Sequence, residues 1–192
     1  MKCNNAVRTF AAIEINEDLR RKFTALQNEL KHTRASVKWV EPANIHFTLA
    51  FLGDTLSSIL DEVGHAMDAI AQTVAPFSFE VSGLGFFGRR CSPRVIWAGA
   101  KGNLPPLMDI QARLIASLKE LELPIDDKPF VPHLTLARIR SPQNVDELVE
   151  ALESRKEEYF GQVKVYRMVL FGSQLTPDGP RYTVLHESIL NG

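Results

Sequence analysis

The sequence has 192 residues, of which 45% are hydrophobic, so one domain with a sizeable core or two small lobes are expected and the composition argues against gross disorder. Its 22 basic and 23 acidic residues leave a formal net charge of −1, which excludes a globally basic, nucleic-acid-coating surface but allows a local basic pocket. The N-terminal stretch lacks a secretory leader pattern, no apolar run approaches the roughly 20 residues that span a bilayer, and Cys3 and Cys91 lack zinc-site spacing, so we expect a cytoplasmic protein with reduced cysteines and no membrane contact.

The first half of the chain reads as alternating strands and helices. Residues 8–15 predict a strand, and Asn16 is a suitable N-cap for a helix whose apolar residues recur every three to four positions. Residues 36–40 predict a short strand, and a longer strand follows from about 44 to 52, ended by Gly53 and Asp54. A second amphipathic helix then carries apolar residues at 59, 63, 67 and 70.

The second half has a similar order. Residues 77–88 alternate with the period of a half-buried strand, and residues 94–100 predict another strand. Asn103 is the expected cap of a third helix, and a fourth helix begins near Asn144 after a strand at 133–140. Residues 162–173 and 181–190 predict closing strands around a turn at 176–180. Four helices among about eight strands, joined by short turns, favour an antiparallel α+β fold.

One short motif occurs twice, in matching surroundings. Residues 45–52 and 132–139 align without a gap, and both contain His-apolar-Thr-Leu-Ala. The two histidines, His46 and His133, are 87 positions apart, close to half the chain. A single His-x-Thr triplet is weak evidence, whereas two copies in equivalent strands indicate two related lobes.

Strand geometry groups the polar residues of the two motifs. Residues i and i+2 of a strand point to one face, so His46 shares a face with Thr48, and His133 shares a face with Thr135. If a rough two-fold axis relates the lobes, these faces meet across a groove. The same alternation places Arg138 on the face opposite to His133, unless a bulge or the end of the strand redirects it.

The arrangement suits proton transfer at a phosphodiester. Two histidines without a carboxylate cluster make a poor metal site, and no Ser-His-Asp pattern is evident, so neither a metal nor a cofactor is expected. Imidazole has an ordinary pKa of about 6.5, so one ring can accept a proton from water while the other donates one to the leaving oxygen. Threonine hydroxyls and a cationic side chain can hold the charged phosphate oxygens.

Residues 39–54 and 128–138 resemble the paired motifs of the two-histidine phosphoesterase superfamily, and the most similar group is the bacterial and archaeal RNA 2′,3′-cyclic phosphodiesterases, historically called 2′-5′ RNA ligases. The resemblance covers essentially the whole chain. It implies one bilobal α+β domain over residues 1–192, with two antiparallel sheets and flanking helices related by a pseudo-two-fold axis, and an active-site cleft between the lobes. It also implies action on RNA ends or nucleotides bearing a 2′,3′-cyclic phosphate. A monomer is expected, although the sequence itself leaves the oligomeric state open.

The resemblance further implies metal-independent hydrolysis of the cyclic phosphate to a 2′-phosphomonoester. In that scheme His46 is the proton donor and His133 is the proton acceptor. The phosphate contacts are Thr48, Thr135 and Arg138. The alternatives are reversible 2′-5′ RNA ligation, hydrolysis of another 2′-5′ or cyclic phosphodiester, and an RNA- or nucleotide-binding module without catalysis.

Three further features have a functional and a structural interpretation. Phe10 could stack on a terminal base or belong to the core of the first strand. Phe130, beside Lys128, could line the mouth of the cleft or simply pack. The basic loop Arg89–Arg94 could steer an RNA backbone, although a solvated loop is the expectation.

Overall fold

The computed structural model describes residues 6–126, 128–177 and 179–192, so Cys3 lies outside the described residues. Within those residues, nine strands and four helices form an α+β fold, which confirms the predicted class. The strands are β1 (Ala6–Glu14), β2 (Val37–Trp39), β3 (His46–Leu56), β4 (Phe77–Arg89), β5 (Ser92–Lys101), β6 (His133–Ile139), β7 (Tyr159–Val165), β8 (Arg167–Thr176) and β9 (Gly179–Ile189). The helices are α1 (Glu17–Leu30), α2 (Leu60–Ala71), α3 (Pro105–Glu120) and α4 (Val145–Glu153).

The helix starts follow local capping chemistry. The side-chain oxygen of Asn16 accepts a hydrogen bond from the backbone N–H of Leu19 at 2.9 Å, as predicted, and satisfies one of the free donors at the start of α1. Helix α3 begins at Pro105 with Leu104 as its N-cap, one residue later than the predicted cap Asn103. Proline fits the first helical position because the N–H that it lacks has no partner there.

The sheet is built from two antiparallel halves. Its strand order is β7-β4-β5-β6-β3-β1-β8-β9. Strand β2 pairs with the end of β6, on the edge that faces away from β5. The only ladder pair between the halves, within the described residues, joins Phe47 of β3 to Leu134 of β6. Leu134 follows Phe47 by 87 positions, the spacing of the two motifs, so the rough two-fold axis of the repeat passes through this pair. The two predicted sheets are therefore continuous at one point.

The core occupies mainly one face of the sheet. All four helices and alternate residues of the central strands contribute to one large buried cluster, in which Phe23, Phe47 and Leu134 have no exposed surface. A smaller cluster is formed by Phe10, Ala12, Val169 and Phe171, with Tyr182 packed against it. Because Phe10 and Ala12 alternate along β1 with residues of the large cluster, the small cluster lies on the other face of the sheet.

Two strand boundaries differ from the sequence prediction. Strand β3 continues through Gly53 to Leu56, because residues 53–56 keep pairing with the start of β1. The run 162–173, predicted as one strand, is divided at Tyr166 into β7 and β8. Strand β7 pairs with β4 and β8 pairs with β1, so the chain crosses from one half of the sheet to the other at this residue. The alternation of Val163 and Val165 also ends there, because Tyr166 and Arg167 are both exposed.

Within the described part of the chain, no helix is both long and apolar enough to cross a membrane.

Candidate active site

The two motif strands bring all four polar residues to one place. Because Phe47 pairs with Leu134 in antiparallel register, Thr48 lies opposite His133 and His46 lies opposite Thr135. The two histidines are thus diagonal neighbours on one face of the sheet, a relation that typically separates residues by about 7–8 Å, with their Cβ atoms somewhat closer. The opposite face of the same two strands carries Phe47 and Leu134, which are fully buried in the core.

Both imidazole rings are fixed in the same way. The Nδ1–H of His46 donates to the backbone carbonyl of Asn44 at 2.8 Å, and the Nδ1–H of His133 donates to that of Val131 at 2.7 Å. A carbonyl can only accept, so Nδ1 carries the proton in each ring and Nε2 is left to exchange protons. The two carbonyls occupy equivalent positions, each two residues before its histidine.

The rings differ in their surroundings. His46 stacks on Phe10, with ring centroids 4.7 Å apart, whereas the edge contact of His133 is with Phe87 at 4.8 Å. Burial lowers the pKa of His46 from 6.5 to about 4, although the bond to the Asn44 carbonyl and the carboxylate of Glu14 act in the opposite direction.

His133 is also shifted toward the neutral form. Burial lowers the pKa of its imidazole below 6.5 and the positive charge of Arg138 lowers it further, while the hydrogen bond to the Val131 carbonyl opposes both. Glu14 stands opposite His46 in the β1–β3 ladder, and Gly99 stands opposite His133 in the β5–β6 ladder. The first histidine therefore has a carboxylate as its cross-strand neighbour and the second has none.

A β-bulge corrects the predicted orientation of Arg138. Trp97 pairs with Thr135 and Ile96 pairs with Ala137, which leaves Leu136 as an extra residue in β6. Leu136 and Ala137 are consequently both buried, and alternation resumes in the other phase. Arg138 turns to the same face as Thr135, and both line the cleft described below. Strict alternation along β6 was the wrong assumption.

The first motif contains the equivalent bulge. Ala12 pairs with Thr48 and Ala11 pairs with Ala50, so Leu49 is the extra residue in β3. Phe51 is turned outward, and 60% of its surface is exposed. It occupies the position in the first motif that Arg138 occupies in the second, 87 residues later. The sequence reasoning missed Phe51, and a position-by-position comparison of the two repeats would have singled it out.

The polar face opens into a cleft of about 790 Å³. Its lining includes His46, Thr48, Thr135 and Arg138. His133 does not line the cleft, but the pairing of β3 with β6 places it opposite Thr48. A single acidic side chain, that of Glu41, lines it, against five cationic ones: Arg8, Lys31, Lys38, Arg138 and Arg140. The cleft is therefore a local basic site in a protein whose net charge is −1.

Several of these groups are available to a ligand. Across residues 6–126, 128–177 and 179–192, no ion pair involves Arg8, Lys38 or Arg138. In the same part of the chain, neither the Thr48 nor the Thr135 hydroxyl has a hydrogen-bond partner. Unpaired cations and hydroxyls around an open cleft are suited to an anion with several oxygens.

The other candidate residues take structural positions. Only 3% of Phe10 is exposed, because its ring stacks on those of His46 and Phe171. This position matches the core alternative, although Phe10 is also one of the residues that line the cleft. Phe130 packs against the large core and does not line the cleft. In the basic loop, Arg90 pairs with Glu153, and neither it nor Arg89 or Arg94 lines the cleft.

Other catalytic arrangements are not formed by the described residues. No three His, Cys, Asp or Glu side chains among them lie close enough to hold a metal ion. Asp68 contacts both His186 and Ser188, at 2.9 and 2.7 Å. This cluster is not a nucleophile–base pair, because the Ser188 hydroxyl donates to the carboxylate of Asp68 rather than to His186. Cys91 is an exposed free thiol.

The chain is similar in sequence to known proteins. A protein from Methanothermobacter thermautotrophicus named RNA 2′,3′-cyclic phosphodiesterase is 34% identical over 177 residues, which cover 92% of this chain and 95% of that protein. A protein of the same name from Thermotoga maritima is 33% identical over 187 residues, covering 97% of each chain.

Solved structures agree with the fold. A crystal structure of a Thermus thermophilus protein matches with a TM-score of 0.81 at 31% identity, covering 96% of this chain and 98% of that one. Apo LigT from E. coli matches with a TM-score of 0.79 at 23% identity, covering 98% and 99% of the two chains. The family model described as LigT like Phosphoesterase matches residues 13–97 and 101–182, which include both motifs. The chain therefore belongs to the LigT-like phosphoesterase family.

Proposed function

We propose that this protein hydrolyses the terminal 2′,3′-cyclic phosphate of RNA to a 2′-phosphomonoester, without a metal ion. The observation that carries the proposal is the pair of His-x-Thr motifs on adjacent strands beside a cationic cleft. The names of the two relatives, which share about a third of their residues with this chain, point to the same reaction. One chain supplies both motifs, so a single copy of it is sufficient for the proposed reaction.

The proposed reaction is an in-line displacement at phosphorus. Nε2 of His133 takes a proton from a water molecule as the water oxygen bonds to phosphorus. The bond between phosphorus and the 3′ oxygen breaks, and Nε2 of His46 gives its proton to that oxygen. The products are a 3′-hydroxyl and a 2′-phosphomonoester, and one further proton exchange with water restores both rings.

The charged neighbours of the two rings differ in sign. Burial and Arg138 both disfavour the charged form of His133, which leaves this ring neutral and able to accept a proton. Burial lowers the pKa of His46 to about 4, so the free enzyme holds this ring neutral too, but Glu14 favours its charged form and a bound phosphate anion acts in the same direction. Substrate binding thus raises the protonated fraction of the ring that must donate.

The phosphate is held by the remaining cleft groups. The hydroxyls of Thr48 and Thr135 donate to non-bridging oxygens, and the guanidinium of Arg138 offsets the negative charge on them. The outward-facing ring of Phe51 offers a flat surface on which a nucleobase can stack. Arg8, Lys38 and Arg140 lie at positions where preceding phosphates of an RNA strand could be neutralised.

One assay tests the proposal. An RNA oligonucleotide ending in a 2′,3′-cyclic phosphate is incubated with the purified protein, with and without EDTA, and the terminal phosphate of the product is identified. We expect a 2′-phosphate at the same rate in both samples, and no turnover by His46→Ala or His133→Ala, each of which should keep the circular dichroism spectrum of the wild type. Activity lost in EDTA and restored by metal contradicts the mechanism, and tight binding without hydrolysis identifies a binding module instead.

A further inference from the structure

We propose that Gln27 is a positioning residue for Arg138: its side-chain amide holds the bulge of β6 in the form that turns Arg138 into the cleft. The functional part of this inference rests on the proposed phosphodiesterase activity. Gln27 lies on α1, lines no part of the cleft, and acts only through the backbone of the second motif.

Gln27 is an unusual residue for its place in the fold. It stands on the buried face of α1, next to Leu26 and near Phe23, and only 3% of its surface is exposed. A buried amide is costly unless its hydrogen bonds are made. Its Nε2 donates to the Val40 carbonyl at 2.8 Å and to the Leu136 carbonyl at 3.1 Å. A nonpolar residue would suit the helix face better, so the amide is explained by these two acceptors.

Leu136 is the extra residue of the bulge. It has no partner on β5, because the ladder passes directly from Thr135 to Ala137. Its carbonyl instead accepts from the Val40 N–H at 2.9 Å as well as from Gln27. Helix α1, the segment after β2 and the bulge are thereby joined at a single carbonyl oxygen.

The bulge determines which face Arg138 occupies. Without the extra residue, Arg138 would share a face with Leu134, which is fully buried. A guanidinium cannot be accommodated there without a partner. Loss of the amide therefore leaves the bulge in place but less firmly held, and Arg138 is displaced from its position beside Thr135.

The first motif contains a corresponding contact. Nε2 of Gln111, on α3, reaches the Leu49 carbonyl at 3.5 Å, and Leu49 is the bulge residue that precedes Phe51. Each bulge thus has a glutamine on a core-facing helix. Gln111 supplies a matched control, because its bulge orients Phe51 and not Arg138.

The test is a double-mutant cycle between Gln27→Met and Arg138→Gln. Methionine has nearly the shape of glutamine but has no donor. The dissociation constant of adenosine 2′-monophosphate is measured by calorimetry for the wild type, both single variants and the double variant, and kcat and KM are measured on the cyclic-phosphate oligonucleotide. We expect Q27M to weaken nucleotide binding by about tenfold in the wild type and by less than about twofold in the R138Q background, as contacts that act as a unit do. Q111M should weaken binding equally in both backgrounds.

The remaining outcomes are decisive. An equal loss in both backgrounds for Q27M, or no loss at all, overturns the proposal. If Q27M does not fold, Gln27→Asn replaces it, since this amide is too short to reach both carbonyls; if that variant is unfolded too, Gln27 is merely structural and the proposal is refuted. A wild type that binds the nucleotide without turnover refutes the proposed function alone. The dissociation constants of the double-mutant cycle still measure the coupling between Gln27 and Arg138 in that case. A wild type that does not bind it refutes both.

Discussion

Protonation of His46 should destabilise the folded protein in mildly acidic solution. The folded state holds the pKa of this imidazole at about 4, mainly because burial disfavours its charged form, whereas the unfolded chain restores the ordinary value of 6.5. Between these two pH values the unfolded state binds the proton and the folded state does not. The free energy of unfolding therefore decreases as the pH falls from 6.5 to 4.

The size of the effect follows from the two pKa values. One pKa unit corresponds to about 1.4 kcal/mol, so the step from 6.5 to about 4 corresponds to about 3.5 kcal/mol once both states are protonated. Most of this, roughly 2.5 kcal/mol, is already lost at pH 4.5. That is a large part of the stability of a domain, which is typically about 5–15 kcal/mol.

Urea unfolding of the wild type and His46→Gln at pH 7 and pH 4.5 measures this term. Glutamine does not titrate, so the variant should lose about 2.5 kcal/mol less than the wild type between the two pH values, whatever its absolute stability. His133→Gln is the matched comparison, and its effect should have the same sign, because burial also lowers the pKa of His133. Identical pH dependence in the wild type and His46→Gln would show that the ring is not buried in its neutral form.

Three further predictions concern activity and stability. The maximum of kcat/KM for the cyclic-phosphate substrate should lie below pH 6.5, since both imidazoles have lowered pKa values in the free enzyme; a maximum above pH 7.5 would contradict this. Phe51→Ala should raise KM by about tenfold with a smaller change in kcat, while Phe51→Tyr should retain the wild-type KM, because a stacked base contributes about 1–3 kcal/mol; equal KM values for all three proteins would remove Phe51 from the site. Burial raises the pKa of Asp68, but the hydrogen bonds from Ser188 and His186 outweigh it and hold the pKa below 3.8. Asp68→Asn should therefore cost about 1 kcal/mol of unfolding free energy at pH 7, a difference that disappears as the pH falls below 3.8, with kcat unchanged.

The repeat made much of the site predictable. The alignment of the two motifs identified both histidines and both threonines, and the i, i+2 rule gave their common face without any knowledge of the sheet order. The rule failed at Arg138, because a bulge is set by hydrogen bonds from distant segments and leaves no mark in the local pattern. Family resemblance, rather than strand parity, pointed to the correct face.

The rest of the cleft comes from positions without a motif. Arg8 is on β1, Lys38 is on β2 and Tyr182 is on β9, and only the assembled sheet brings them to one surface. Phe51 lies inside the first motif, residues 45–52, but its apolar character is typical of a core residue. Exposure of a large aromatic residue in a strand is a property of the tertiary structure, so the sequence alone could not reveal it.

The crossing at Tyr166 has a consequence for synthesis on the ribosome. Strand β1 lies between β3 and β8, so one side of it has no partner until residues beyond 166 have been made. The half of the sheet that holds His46 thus contains both the first strand to be synthesised, β1, and the last, β9, which lies at its outer edge. Neither half is a continuous piece of chain, and a nascent chain that already carries both histidines still lacks the strands that support one of them. Such non-local pairing slows folding, and the protein is expected to acquire its site only after strands β8 and β9 have been made.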